Sequence, residues 1–314
     1  MKDLKKTISK TAGSAADAVS DAAGSVKDGI AGIAKLDFTD LFSFADKMTP
    51  DEKTRARLFE KVCAFIPGKI NNSTVVSAFE IMRKQQRLLK KDFSSQIKKN
   101  KAAVEKHAAD MKKSMGFIED QNKWTDTAYG ESTMQYSGCE IFATFNAIWS
   151  MLGKSIMSLP EMISEYEKDG MVLSGKFGTS PKAISDFLEK HGFKTELTTD
   201  EKEFDEVGKR SESLILTMYN DKNDISQEVH TVNISKKDKK YTAHNVYCNG
   251  KVLGPFDSVS ETIKNINGGK AKGISLIGIR QKAGAAQTSD TKKDDDKKDG
   301  TKKKGAGKGE EKKK

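Results

Sequence analysis

Gly138-Cys139-Glu140-Ile141-Phe142-Ala143-Thr144-Phe145-Asn146-Ala147-Ile148-Trp149-Ser150-Met151-Leu152-Gly153 is the stretch from which the rest of the chain can be read. Ile141, Phe142, Phe145, Ile148, Trp149 and Leu152 recur at three- and four-residue steps, which predicts a buried amphipathic helix. Gly153 supplies a left-handed stop. Cys139 therefore opens the helix. There the partial positive charge of the unpaired backbone N–H groups favours the thiolate, the reactive form of the side chain. About ninety residues on, His230 sits in one alternating apolar segment and Asn245 in the next. A nucleophile, a base and an orienting amide follow one another along the chain.

The segments carrying His230 and Asn245 read as a hairpin. Alternate strand residues share a face, so His230, Val232 and Ile234 lie on one side of the first strand. On the second, Tyr241, Ala243, Asn245 and Tyr247 share a side, and His244 points the other way. Lys236-Lys237-Asp238-Lys239 is the place for a tight turn. A two-residue loop at Lys237-Asp238, or four residues centred there, would set His230 directly opposite Asn245, with Cβ atoms about 5 Å apart. The amide would then hold one imidazole nitrogen while the other faces a thiol. A half-buried strand histidine is common without any function. It is the conjunction with a helix-opening cysteine that favours catalysis. His244 and His191 read as structural, Cys248 and Cys63 as packing, and His107 as a solvated helix residue.

The 314 residues are 36% hydrophobic and 32% charged, as expected if only part of the chain forms a packed core. The net charge is +10, and residues 282–314, with twelve lysines against seven acidic residues, carry half of it. That tail is too polar to offset the entropy of ordering and reads as disordered. Three scattered cysteines exclude a disulfide framework and a zinc site, and no ligand spacing implies a metal or other cofactor. There is no ordinary secretion signal and no transmembrane segment, which places the protein in the cytoplasm or outside the cell by a signal-independent route. The lysines lack an aromatic-basic surface, so no specific nucleic-acid partner is expected.

Four regions follow. Residues 1–45 are Ala- and Gly-rich. Within 1–36, small apolar residues at near-heptad steps form a stripe suited to self-association or membrane-surface contact, although a loosely ordered extension is the simpler reading. Residues 46–123 are helical. Thr49-Pro50-Asp51-Glu52 caps a helix ending at Pro67, and a long helical stretch runs from Ser73 to about Phe117. Residues 124–281 have helices first and strands afterwards, an α+β pattern with an antiparallel sheet. Helices are expected near Glu161–Lys168 and after Ser180-Pro181, and strands at 214–219, 229–235, 241–248 and 274–280. Residues 282–314 are the tail.

Residues 124–281 resemble the papain-like superfamily, specifically bacterial cysteine peptidases related to the double-glycine leader peptidases of bacteriocin exporters. The likeness rests on Gln135, Gly138-Cys139-Glu140, Asn146-Ala147, Gly178-Thr179-Ser180-Pro181, His230-Thr231-Val232 and His244-Asn245-Val246-Tyr247. It implies a cysteine-bearing helix packed on an antiparallel sheet and an acyl-enzyme that water hydrolyses. Cys139 would be the nucleophile, His230 the base and acid, Asn245 the orienter, and Gln135 an oxyanion donor. The expected function is a cysteine peptidase or related amide hydrolase acting on a peptide or protein substrate. An acyltransferase or peptidoglycan amidase would use the same groups. A catalytically silent domain in an interaction or structural protein is the reading from a different class.

Overall fold

Two sets of helices enclose a six-stranded antiparallel sheet. The structure, a computed structural model, describes residues 38–48, 71–223 and 229–282, with isolated positions 57, 61 and 62. The stripe within 1–36, most of the helix expected from Thr49 to Pro67, Cys63 and residues 283–314 of the tail lie outside the described residues.

Helix α1 is Thr39–Asp46, α2 Asn72–Gln86 and α3 Gln96–Lys113. A two-stranded hairpin, β1 (Ala128–Tyr129) and β2 (Ser132–Thr133), precedes the short α4 (Met134–Ser137) and the cysteine helix α5 (Cys139–Leu152). Then come α6 (Leu159–Asp169), α7 (Pro181–Lys190), β3 (Phe193–Thr198), α8 (Phe204–Arg210), β4 (Ser213–Tyr219), β5 (Val229–Lys237), β6 (Lys240–His244), β7 (Leu253–Phe256), α9 (Val259–Asn265) and β8 (Lys272–Gln281). The sheet order is β3-β8-β4-β5-β6-β7, every pair antiparallel. The expected α+β class with an antiparallel sheet is the observed one.

One face of the sheet presents Ile215, Ile277 and Ile279 to α5, α6 and α7, where Phe142, Phe145, Ile148, Met162 and Phe187 fill the core. The other presents Leu214, Leu216, Val232, Ile234 and Leu276 to Phe204 and Val207 of α8 and Val259 of α9. A third cluster joins α1 and α2 to Leu173, Phe177, Tyr219 and Ile274.

The local signals behave as their chemistry requires. Ser158 and Glu161 cap α6 reciprocally, Pro181 stands at the first turn of α7, and Gly153 ends α5 at φ 65°. The long helix expected from Ser73 to Phe117 is two helices. A 3₁₀ turn at Arg87–Leu89 and Lys90 at φ 51° divide them. The faces differ: α2 buries Val76, Phe79 and Met82, whereas α3 buries Asn100, Ala103 and His107. His107 is a buried ring stacked on Trp124, with centroids 4.0 Å apart, and bonded to Asp126. It is not the solvated residue expected.

Candidate functional site

The β5–β6 register departs from expectation by two residues. Asn233 pairs with His244 and Lys237 with Lys240, so the turn residues are Asp238 and Lys239, at φ 51° and 62°. Two central residues with positive φ form the type I′ geometry that tight hairpins favour. Without a glycine there, nothing in the sequence separates this turn from one centred a residue earlier. His230 therefore has Met218 of β4 as a ladder partner, and β6 ends before reaching it. Asn245 is not a cross-strand partner. It leaves β6 in the left-handed conformation at φ 57°.

Asn245 nevertheless meets His230, through its main chain. Nε2 of His230 lies 2.8 Å from the Asn245 carbonyl oxygen. A carbonyl only accepts, so Nε2 carries the proton and, in the neutral ring, Nδ1 is the basic nitrogen. The side-chain amide expected to orient His230 is engaged elsewhere. Its Nδ2 donates to Gln121 Oε1 at 3.0 Å, and its Oδ1 accepts from the Gln121 N–H at 3.2 Å. Gln121 Nε2 in turn donates to the Gln135 carbonyl at 2.8 Å. Gln135 is exposed, and the link to the site uses its backbone rather than its side chain.

Residues 118–121 are held on both sides. Asn146 of α5 bonds the Ile118 N–H and C=O, each at 2.8 Å. Glu119, itself buried, accepts from the Asn245 N–H at 2.7 Å and pairs with His244 Nδ1. His244 completes the network through Ser235 Oγ at 2.8 Å and stacks on Phe117. This network fixes the backbone at Asn245, and with it the carbonyl that meets His230. Glu119 and Gln121 were missed from the sequence because one lies in coil and the other opens a single 3₁₀ turn, Gln121–Lys123, with no period or motif to mark them. Cys248, read as packing, is half-buried with Sγ 3.9 Å from His230 Nε2.

Cys139 reaches the same end of the sheet from α5, which packs along β5 and β4. Ser150, near the far end of α5, bonds Ser213, which pairs with Ser235 of β5. From Ser150 back to Cys139 the helix spans about 16 Å. From Ser235 back to His230 the strand spans about the same. The thiol and the imidazole thus lie at matching heights. Strict alternation assigns His230 to the face of Val232 and Ile234, opposite α5. As the second residue of β5, however, it stands beyond the end of β6, where Asn245 holds its ring.

Cys139 is buried, and its Sγ–H donates to Glu140 Oε2 at 3.3 Å. Gly138 lets α4 run straight into α5, since a Cβ there would stand 2.6 Å from the Met134 carbonyl oxygen. Gly178 has φ +69°, and a Cβ on it would lie 2.8 Å from Glu140 Oε1. Burial pushes the Glu140 carboxyl up to about 6. Its own N–H, the Cys139 thiol, the charge of His230 and the Thr179 backbone pull the other way.

No family model, curated protein or solved structure matches the chain. What the site can do is therefore argued from its own groups: a thiol at a helix start, an imidazole of fixed tautomer and a buried carboxyl. Among the described residues, no group of three or more His, Cys, Asp or Glu is arranged to hold a metal ion, and no helix is long and apolar enough to cross a membrane.

Proposed function

We propose that the chain is a cysteine peptidase or related amide hydrolase with a papain-like arrangement, in which Cys139 attacks an acyl carbon and His230 moves the protons. The observation that carries this reading is the His230–Asn245 carbonyl bond at one end of the sheet, level with the start of the cysteine helix. It presets the tautomer whose Nδ1 is basic, as acid–base catalysis by an imidazole requires. Attack gives a tetrahedral oxyanion that collapses to an acyl-enzyme as the amine departs, and water attacks the thioester. The orienting role expected of the Asn245 amide passes to its carbonyl. The oxyanion role expected of Gln135 has no support beyond the residue type.

The test is labelling with a panel of peptides carrying an acyl electrophile, read by mass spectrometry on the full chain. Some members should modify Cys139 far faster than Cys63 or Cys248, and Cys139→Ala should lose both that label and any hydrolysis of the matching peptide amides. Equal, slow labelling of all three cysteines would reject the enzymatic reading in favour of a silent domain.

A further inference from the structure

We propose that Ser235, His244 and Glu119 form a second acyl-transfer centre, separate from Cys139, in which the Ser235 hydroxyl attacks small carboxylic esters. It goes beyond the thiol-hydrolase reading and does not rest on it.

Three side chains from three parts of the chain meet on one face of the sheet. Ser235 Oγ lies 2.8 Å from His244 Nε2, and His244 Nδ1 lies 2.5 Å from Glu119 Oε1. Ser235 pairs with Ser213 of β4, two residues from Ile215, and so shares the face that α5 covers. Phe117 stacks on the imidazole with centroids 4.1 Å apart and fixes its plane. Glu119 and His244 are buried, whereas Ser235, Thr242 and Phe117 are half-buried, so the hydroxyl is the end of the relay that meets solvent. Asn233 faces His244 across the ladder, and its buried Oδ1 has no hydrogen-bond partner among the described residues. It is an acceptor for an O–H donor entering the site.

The contacts assign the ring proton. Glu119 Oε2 accepts from the Asn245 N–H at 2.7 Å, as a carboxylate does. A carboxylate only accepts, so Nδ1 of His244 carries the proton. The reverse tautomer would press a nitrogen lone pair against Oε1 at 2.5 Å. In the neutral ring Nε2 then accepts from the Ser235 O–H, and the Thr242 carbonyl, at 3.4 Å, is the longer alternative. A hydroxyl, a base facing it and a carboxylate that orients the base are what nucleophilic catalysis by serine requires.

The strand decides the substrate class. Ser235 lies between β4 and β6, so its N–H is committed to the ladder and does not serve an oxyanion. Esters, whose alcohol leaves more readily than an amine, fit such a site better than amides. Oγ bonds to the acyl carbon as its proton passes to Nε2. The C–O bond then breaks, and Nε2 protonates the departing alcohol. Water attacks the resulting acyl-serine, gives a proton to Nε2 and releases the acid, and Ser235 Oγ recovers its proton from Nε2. Glu119 acts throughout as a positioning residue for His244.

A fluorophosphonate, which phosphonylates activated serines, tests this on the full chain, read by mass spectrometry. Ser235 should label about a hundredfold faster than the other serines, in wild type and in Cys139→Ala alike. Cys139→Ala should hydrolyse p-nitrophenyl acetate, and adding Ser235→Ala should abolish that turnover. Glu119→Gln is the sharper variant. The Asn245 N–H only donates, so the Gln carbonyl must face it and the Gln NH₂ must face Nδ1. The ring proton moves to Nε2, every contact survives, and Ser235 labelling should fall about a hundredfold. Labelling of Ser235 no faster than other serines, or unchanged by Glu119→Gln, overturns the inference. Peptide labelling at Cys139 is read separately and decides the thiol-hydrolase reading alone. Should Glu119→Gln fail to fold, nitrogen NMR of the histidine rings in wild type, assigned with His244→Ala, decides. A proton on Nδ1 and none on Nε2 of His244 supports the centre, and a proton on Nε2 overturns it.

Discussion

Asn245 contributes a backbone shape and a carbonyl where the sequence promised an amide. Its left-handed φ of 57° points the C=O at His230 Nε2, while its side chain closes a reciprocal pair with Gln121. This separation is testable. Asn245→Gly keeps both the conformation and the carbonyl. It should hold kcat/KM on a peptide substrate within about tenfold of wild type, a small part of what acid–base catalysis supplies. A far larger loss would mean that the amide, not the carbonyl, controls the imidazole. At this scale the sequence identified residue types better than contacts. Cys139, His230 and Asn245 could be picked out because a thiol before an apolar helix and a histidine in a strand carry local signals. Gln121 and Glu119 could not, because their partners lie more than a hundred residues away.

Between elements, legibility depended on whether the deciding interaction was local. Pro181 and Gly153 are written within one turn of the helices they bound, and α5, α6 and α7 formed where expected. The β5–β6 register and the division of α2 from α3 turn on left-handed lysines and an aspartate, which composition does not announce. Strands β3 and β7 also went unread: both are edge strands, and only the two end residues of β3 and none of β7 are buried. Glu167 joins α6 to the β1–β2 hairpin by accepting from the Gly130 N–H at 3.0 Å. Burial pushes its carboxyl from an ordinary 4.5 to about 7, with that hydrogen bond opposing. The folded state therefore holds this proton more tightly than the unfolded chain does. The stabilisation is complete below about pH 4.5 and lost as pH rises through about 7. Glu167→Gln, neutral throughout and still an acceptor, should match wild type at pH 4.5 and exceed it by roughly 2 kcal/mol at pH 8. Urea unfolding at the two pH values checks this, and an equal difference at both would rule out the carboxyl as the cause.

Across the whole molecule, the question is whether the helices before residue 124 can be separated from the chemistry. Read from sequence, residues 46–123 form a helical region of their own, as a removable covering segment would. In the fold they share a core with the sheet. Leu41 and Phe42 of α1 and Phe79 and Met82 of α2 pack with Leu173, Phe177, Tyr219 of β4 and Ile274 of β8. Lys176 Nζ reaches the Ala45 carbonyl at 2.9 Å. Such packing couples the unfolding of the two regions, as in a small cooperative domain. Leu41 is fully buried, so Leu41→Ala should cost about 2–5 kcal/mol through lost transfer energy and the cavity left behind. Both tryptophans of the chain, Trp124 and Trp149, belong to the core on the α5 face, away from Leu41. In urea, then, the substitution should lower the midpoint seen by tryptophan fluorescence as much as the one seen by circular dichroism. A shift in the dichroism alone would mean that the N-terminal helices unfold by themselves, and a removable covering segment would regain its case. Coincident shifts would make these helices part of the scaffold that sets the end of the sheet, where His230 and Asn245 meet.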